Sequence, residues 1–271
     1  MKREYSSFGY KKALLHFSRY GRGEKVLLCF HGYGQSNKDM NVLQEVLKDK
    51  YTIYTFDLFY HGESFWHEKE KPLSKEFWIQ LVNVFLKSNN IQRFSVAGFS
   101  MGGKFVLPIV EHFSEQVDKI LLIAPDGIKL NFWYQLVTGF SWTRSLLRTI
   151  VVKPKLYLSL VKIFSLLGLV PASTVKFTNS QMLTRKQRRR VYYSWVIFRP
   201  LKVNIKEIAV LINSYDTPLI VFLGSHDKII TENSVKPLLK HTEHYKKIIL
   251  HAGHTNLIQA VADYERNTNI V

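Results

Sequence analysis

Residues 96–103, VAGFSMGG, constrain the fold more than any other stretch of the chain. Ser100 has a glycine two residues to either side, residues 94–98 are apolar enough for a buried strand, and apolar side chains recur at helical spacing over residues 102–113. A strand that turns this sharply into a helix needs glycines, because larger side chains would collide in the turn. The pattern therefore predicts a strained Ser100 whose hydroxyl projects from a sheet edge as a nucleophile.

Strand patterns and helix patterns alternate along the rest of the chain. An N-terminal hairpin is predicted over residues 5–20. Buried strands are expected at residues 26–30, 51–56, 94–98, 119–124, 218–223 and 247–250. Helices are expected at residues 37–50, from a cap at Ser74, at 102–113 and at 257–264. This alternation predicts an α/β fold with a mostly parallel central sheet and helices on both faces.

The positive charge of the chain is concentrated in one segment. The net charge is +17, yet residues 127–206 contain 15 Lys and Arg and no Asp or Glu, so the remainder is close to neutral. Repulsion within such a segment would be relieved by an anionic partner, either a membrane surface or an acidic substrate. A solvated face without a partner is the plainer alternative. Nucleic acid is disfavoured because no binding motif accompanies the charge.

The sequence also predicts the location of the protein. The N-terminal residues lack the apolar core of a secretory signal, and no apolar run reaches the roughly 18 residues of a membrane-spanning helix. We therefore expect a cytoplasmic protein, peripheral to the membrane if the basic segment binds lipid. The single cysteine, Cys29, lies in an apolar run and is expected to be a small buried hydrophobic residue.

A serine nucleophile needs a base within hydrogen-bond reach and an acid that orients the base. Asp227 and His254 each follow a predicted strand, where catalytic groups of open α/β sheets gather. Asp126 also follows a strand and is the alternative acid, while His251 is the alternative base.

Four further polar residues near predicted strand ends are interpreted as structural. His31, Asp57 and His61 are expected to bond nearby backbone, and His226 to line a loop or a pocket wall.

Taken together, these residues resemble the α/β-hydrolase superfamily, of the lidded esterase and C–C hydrolase type, over essentially the whole chain. The resemblance is carried by His31-Gly32, by Asp57 with residues 61–64, by the glycines around Ser100, by Gly224 with Asp227, and by Gly253-His254. It implies that Ser100 is the nucleophile, His254 the base and then the acid, and Asp227 the group that fixes the imidazole tautomer. It also implies an oxyanion hole formed by the backbone N–H groups of Tyr33 and Met101.

The same resemblance implies an inserted helical lid. Residues 128–208 would form this lid over Ser100, between a first part of the core at residues 1–127 and a second part at 209–271. The lid sequence has apolar stretches at residues 130–137 and 156–170, which either pack the lid onto the core or line a pocket for an acyl or aromatic group.

The function expected from these features is that of a serine hydrolase without cofactor or metal, cleaving a carboxylic ester of a hydrophobic acyl or aromatic acid through an acyl-enzyme. A C–C hydrolase or lyase similar to the menaquinone-pathway synthase is an alternative, because Lys104 and the basic segment suit an anionic substrate. A binding protein without activity is disfavoured, since all three residue types of the triad are present. The sequence has no Walker loop, H-E-x-x-H motif or dinucleotide fingerprint.

Overall fold

A computed structural model describes residues 2–68, 71–129, 132–153, 159 and 184–271. The chain divides into two compact units. The core unit comprises Met1–Lys69, Ser74–Lys129 and Leu201–Val271, and the helical unit comprises Glu70–Leu73 and Leu130–Pro200.

The core unit is built on one sheet. Its strands are β1 (Glu4–Tyr10), β2 (Ala13–Tyr20), β3 (Lys25–Phe30), β4 (Tyr51–Phe56), β5 (Phe65–Trp66), β6 (Phe94–Phe99), β7 (Val117–Ile123), β8 (Leu219–Gly224) and β9 (Tyr245–Leu250). Their order is β1-β2-β4-β3-β6-β7-β8-β9, with β5 paired to β2. The pairs β1–β2, β2–β4 and β2–β5 are antiparallel, whereas every pair from β4 to β9 is parallel. The predicted hairpin and mostly parallel sheet are thereby confirmed.

The described helices of the core unit are α1 (Asn41–Leu47), α2 (Lys75–Ser88), α3 (Met101–Phe113), α7 (Ile205–Ser214), α8 (Glu232–Leu239) and α9 (Leu257–Thr268), and those of the helical unit are α4 (Phe132–Gly139), α5 (Ser141–Val152) and α6 (Arg185–Ile197). As predicted, the Ser74 hydroxyl caps α2 by accepting from the Phe77 N–H. The helix expected at residues 37–50 is shorter than predicted: a 3₁₀ turn over Asn37–Met40 precedes α1.

Alternate residues of the central strands face helices on opposite sides of the sheet. Leu27 and Cys29 of β3 belong to a buried cluster that includes side chains of α1 and α9. Phe30 points the other way and packs edge-on against Trp78 of α2, with ring centroids 5.6 Å apart. The Trp78 indole N–H in turn donates to the Phe105 carbonyl of α3 at 3.0 Å. Both faces of the strand are therefore covered, which explains its unbroken apolar sequence.

The helical unit has its own packing. The Tyr134 hydroxyl of α4 donates to the Trp195 carbonyl of α6 at 3.0 Å, and the Arg188 side chain of α6 donates to the Val151 carbonyl of α5 at 2.9 Å. Most of the apolar stretch expected at residues 156–170 lies outside the described residues. In the described part of the chain, no helix combines the length and apolar character needed to cross a bilayer.

Gly102 provides a test of how closely α3 approaches the sheet. A Cβ atom added there would collide with the Phe30 carbonyl of β3. We expect Gly102→Ala to lower the free energy of unfolding by roughly 1–3 kcal/mol, as measured by urea denaturation, because backbone on both sides must move apart. Gly139→Ala is the control, since a Cβ there has nothing within 4 Å. Equal stability of the two variants would contradict the close approach.

Candidate active site

Ser100 occupies a strained turn between β6 and α3. Its φ of 49° and ψ of −117° lie outside the ordinary regions for a residue with a side chain. The end of β7 and the loop after it hold this conformation on both sides. The Ser100 N–H donates to the Ile123 carbonyl at 2.9 Å, and the Asp126 N–H donates to the Ser100 carbonyl at 2.8 Å. The neighbouring strand therefore fixes the direction in which the hydroxyl projects.

Ser100, His254 and Asp227 form a continuous hydrogen-bonded chain. His254 Nε2 lies 2.9 Å from Ser100 Oγ, and His254 Nδ1 lies 2.6 Å from Asp227 Oδ2. An ionised carboxylate can only accept, so the Nδ1 atom carries the proton that it donates to Asp227. Nε2 is then left with a lone pair that accepts the Ser100 hydroxyl proton.

The Asp227 carboxylate is buried and fully engaged. Its Oδ1 atom accepts from the N–H groups of Ile229 and Ile230 at 2.8 and 3.0 Å, while Oδ2 faces His254. Burial by itself would raise the pKa of Asp227, but the bond from His254, the two backbone bonds and the nearby imidazole outweigh it, so the pKa lies below its ordinary value. The group therefore remains an anion able to orient and stabilise His254.

Backbone bonds between two loops bring Asp227 to His254. The Ser225 N–H donates to the Leu250 carbonyl at 2.9 Å, and the His226 N–H donates to the Ala252 carbonyl at 3.0 Å. The loop after β8 is thus tied to the loop after β9. These bonds fix the separation of two side chains that belong to different strands.

The proposed oxyanion donors lie at the start of α3 and in the loop after β3. Met101 is the first residue of α3, where N–H groups have no acceptor within the helix. Tyr33 follows His31 and Gly32, and a Cβ added to Gly32 would touch the Phe99 ring beside Ser100. This loop is therefore adjacent to the turn that carries the serine.

His31 anchors the same loop from within the core. Its Nε2 atom accepts from the Leu58 N–H at 3.0 Å, so Nδ1 carries the proton and donates to the Gly32 carbonyl at 2.7 Å. Asp57 is bonded in the same structural manner, accepting from the N–H groups of Asn37 and Glu63 at 2.6 and 2.9 Å. Neither side chain is directed to a reacting group by these bonds.

Known proteins share the fold of this chain. A family model described as alpha/beta hydrolase fold matches residues 25–261. The chain belongs to this family. Among solved structures, a hydrolase from Pseudomonas aeruginosa has a TM-score of 0.67 at 15% identity, covering 96% of this chain and 95% of that one. The naproxen esterase of Bacillus subtilis has a TM-score of 0.65 at 14% identity, covering 99% and 90%.

One protein related in sequence gives no information about activity. An uncharacterized protein of Mycobacterium tuberculosis is 28% identical over 123 residues, which are 44% of this chain and 33% of that protein. The match thus spans about a third of the length of that curated relative.

In this alpha/beta hydrolase the other Asp and His residues near the strand ends make hydrogen bonds or ring contacts elsewhere. Asp126 is exposed and accepts from the Gly127 N–H at 2.7 Å. His226 and His251 are both exposed and pack edge-on with ring centroids 4.4 Å apart. His61 is buried, with Nδ1 3.0 Å from the Phe59 carbonyl. The structure therefore brings Ser100 together with His254 and Asp227.

Two residues that support the site were not predicted. The Gly32 N–H donates to Gln35 Oε1 and the Gly253 N–H donates to Asn256 Oδ1, both at 2.9 Å. In each loop an amide side chain three residues after a glycine holds that glycine's backbone. The repeated G-x-x-[QN] spacing in GYGQ and GHTN is the signal that could have identified them.

Other reactive groups have no place in this chemistry. Cys29 is buried, and burial raises the pKa of its thiol to about 12, so it carries no nucleophilic thiolate at neutral pH. Within the described residues no cluster of His, Cys, Asp and Glu could hold a metal ion.

Lys104, one helical turn after Ser100, is buried beside residue 127. Burial lowers the pKa of Lys104 to about 8, opposed by attraction to Asp126 and reinforced by repulsion from Lys202. Asp126 therefore offsets the charge of this lysine within the core unit.

The lowered pKa of Lys104 predicts a pH effect on stability. The folded protein releases this proton near pH 8, whereas the unfolded chain keeps it to about 10.5, so the unfolded state binds more protons in this window. Raising the pH across the window should stabilise the wild type by about 3 kcal/mol relative to Lys104→Met, as measured by urea unfolding. The exposed Lys129, replaced by Met, serves as the control. An identical pH slope in all three proteins would contradict the expectation.

Proposed function

We propose that this protein is a serine hydrolase that cleaves carboxylic esters through an acyl-enzyme. The observation that carries the proposal is the unbroken chain of hydrogen bonds from Ser100 Oγ through His254 to Asp227. Such a chain turns a weak hydroxyl into a nucleophile, because the imidazole takes the proton as the new bond forms. Membership of the hydrolase family and an esterase among the structural neighbours are consistent with it.

The first half of the reaction forms the acyl-enzyme. Ser100 Oγ attacks the ester carbonyl carbon, its proton passes to His254 Nε2, and the carbonyl electrons move onto oxygen as a negative charge. The backbone N–H groups of Tyr33 and Met101 stabilise this oxyanion. The oxyanion electrons then re-form the carbonyl as the bond between the carbonyl carbon and the alcohol oxygen breaks. His254 gives its proton to that oxygen, and the alcohol departs.

The second half repeats these steps with water. His254 takes a proton from the water while the oxygen attacks the acyl carbon, and it returns a proton to Ser100 Oγ as the acid is released. The Asp227 carboxylate stabilises the imidazolium in both halves without itself becoming protonated. Its lowered pKa and its two backbone bonds keep it in the form that can do so.

The proposed substrate is a small-molecule ester of a hydrophobic acyl or aromatic acid. This part of the proposal rests on the apolar composition of residues 128–208, which we propose to act as the lid of the enzyme. Lys104 would favour an anionic substrate if its charge were directed at a ligand. Lys104 is instead buried, and its charge is attracted by the Asp126 carboxylate of the protein itself.

The nucleophile is tested by Ser100→Ala. We expect a loss of ester hydrolysis of about 10⁴-fold or more and a loss of labelling by a fluorophosphonate probe, because the attacking atom is removed. A panel of p-nitrophenyl esters of increasing chain length and an aromatic ester provide the activity measurement. Ser88→Ala, at an exposed serine that ends α2 in the core unit, should leave both signals unchanged. A wild-type protein that neither hydrolyses any ester nor reacts with the probe would point to a binding protein.

The acid is tested by a matched pair of substitutions. Asp227→Asn should lower kcat/KM by roughly 10³- to 10⁴-fold, since an amide in place of the carboxylate favours the wrong imidazole tautomer. Asp126→Asn should change it little, because that side chain accepts from the Gly127 N–H instead. The reverse ranking in steady-state kinetics would assign the acid to the loop after β7.

A further inference from the structure

Helix α5 in the helical unit presents an apolar face to solvent. Thr143, Leu147 and Val151 recur every four residues and are buried, so they define the inward face. On the outward side Trp142 is 65% exposed and Leu146 is 46% exposed. A helix that only covered the interior would carry polar side chains at these positions.

The Phe140 ring extends this face before the first residue of α5. Phe140, which precedes α5, is 56% exposed, and its ring stacks on that of Trp142 with centroids 6.4 Å apart at 23°. The two rings cover part of each other's surface, and the rest of that surface is exposed to water. Tryptophan and phenylalanine on the outer face of a short helix are typical of elements that lie in the interfacial layer of a bilayer.

Exposed basic side chains lie on α5 and on the helix bonded to it. Arg148 and Lys153 are exposed at the C-terminal half and end of α5. Helix α6, which the Arg188 bond joins to α5, adds the exposed side chains of Arg185, Lys186 and Arg189. The segment from residue 127 to residue 206 contains no Asp or Glu, so its net charge is strongly positive.

The apolar face and the positive charge together indicate the kind of partner. A second copy of the chain would bring one excess of positive charge against another, which repulsion disfavours. An anionic lipid surface complements both features at once, because its headgroups attract the cations and its acyl boundary accepts the rings. We propose that the outward face of α5, with the exposed basic residues of α5 and α6, binds the surface of anionic bilayers peripherally. This proposal does not depend on the chemistry of Ser100.

The structure refines which arginines should matter. Arg185, Lys186 and Arg189 are exposed, whereas Arg188 is half-buried and donates to the Val151 carbonyl. Substituting Arg188 would therefore disturb the packing of α6 on α5 as well as the charge. Since each basic residue near an anionic surface strengthens binding about fivefold, loss of three should weaken it by about 100-fold.

The test is flotation of the full chain with vesicles of phosphatidylcholine alone and with vesicles containing phosphatidylserine, at low and high salt. We expect binding to the anionic vesicles only, weakened by salt because the field decays within about 8 Å at physiological ionic strength. The double variant Phe140→Ser with Trp142→Ser and the triple variant Arg185→Gln, Lys186→Gln and Arg189→Gln should each reduce binding at least tenfold.

Matched controls lie in the core unit. Phe65→Ser removes an aromatic ring that is 60% exposed, and the triple variant Lys228→Gln, Lys236→Gln and Lys240→Gln removes the same charge. Both should bind like the wild type. The proposal is overturned if no protein binds either vesicle, if binding ignores lipid charge, or if the control variants lose as much binding as the variants of α5 and α6. It is also overturned if the wild type forms a dimer in analytical ultracentrifugation that the double variant abolishes.

Discussion

The site depends on the hydrogen bonds that join the Ser100 backbone to the end of β7 and to the loop after it. A backbone φ of 49° is unfavourable for a residue other than glycine. The bonds to the Ile123 carbonyl and from the Asp126 N–H hold Ser100 in this conformation. The bonds arise because β6 and β7 are parallel neighbours that end at the same sheet edge. The pairing of β6 with β7 therefore determines the direction of the Ser100 hydroxyl.

The second half of the site depends on loop-to-loop bonds of the same kind. The loop after β8 donates two backbone bonds to the end of β9 and the loop after it. The close approach of Gly224 to the Ala252 carbonyl leaves no room for a side chain there. The backbone of the two loops therefore positions Asp227 and His254 in addition to the hydrogen bond between their side chains. Preorganisation of this kind means that the side chains need little rearrangement to act.

Much of this arrangement could be predicted because it is encoded locally. Runs such as residues 94–98 are apolar where strands are buried on both faces, and the glycines around Ser100 mark the turn. The burial of Lys104 and the bond from Arg188 to the Val151 carbonyl could not be predicted, because both depend on which helix faces pack together. A charge run looks the same in sequence whether its members cap a neighbouring helix or meet solvent.

The chain order of the sheet has a consequence for synthesis of the protein. β7 and β8 are paired neighbours in the sheet, yet the Leu130–Pro200 part of the helical unit lies between them in the chain. During translation β7 therefore has an open edge of N–H and C=O groups until the residues of the helical unit have been made. At ribosomal rates this interval is on the order of ten seconds. An unpaired apolar strand edge can pair with another nascent chain, so the inserted residues lengthen the time during which β7 is exposed to such pairing.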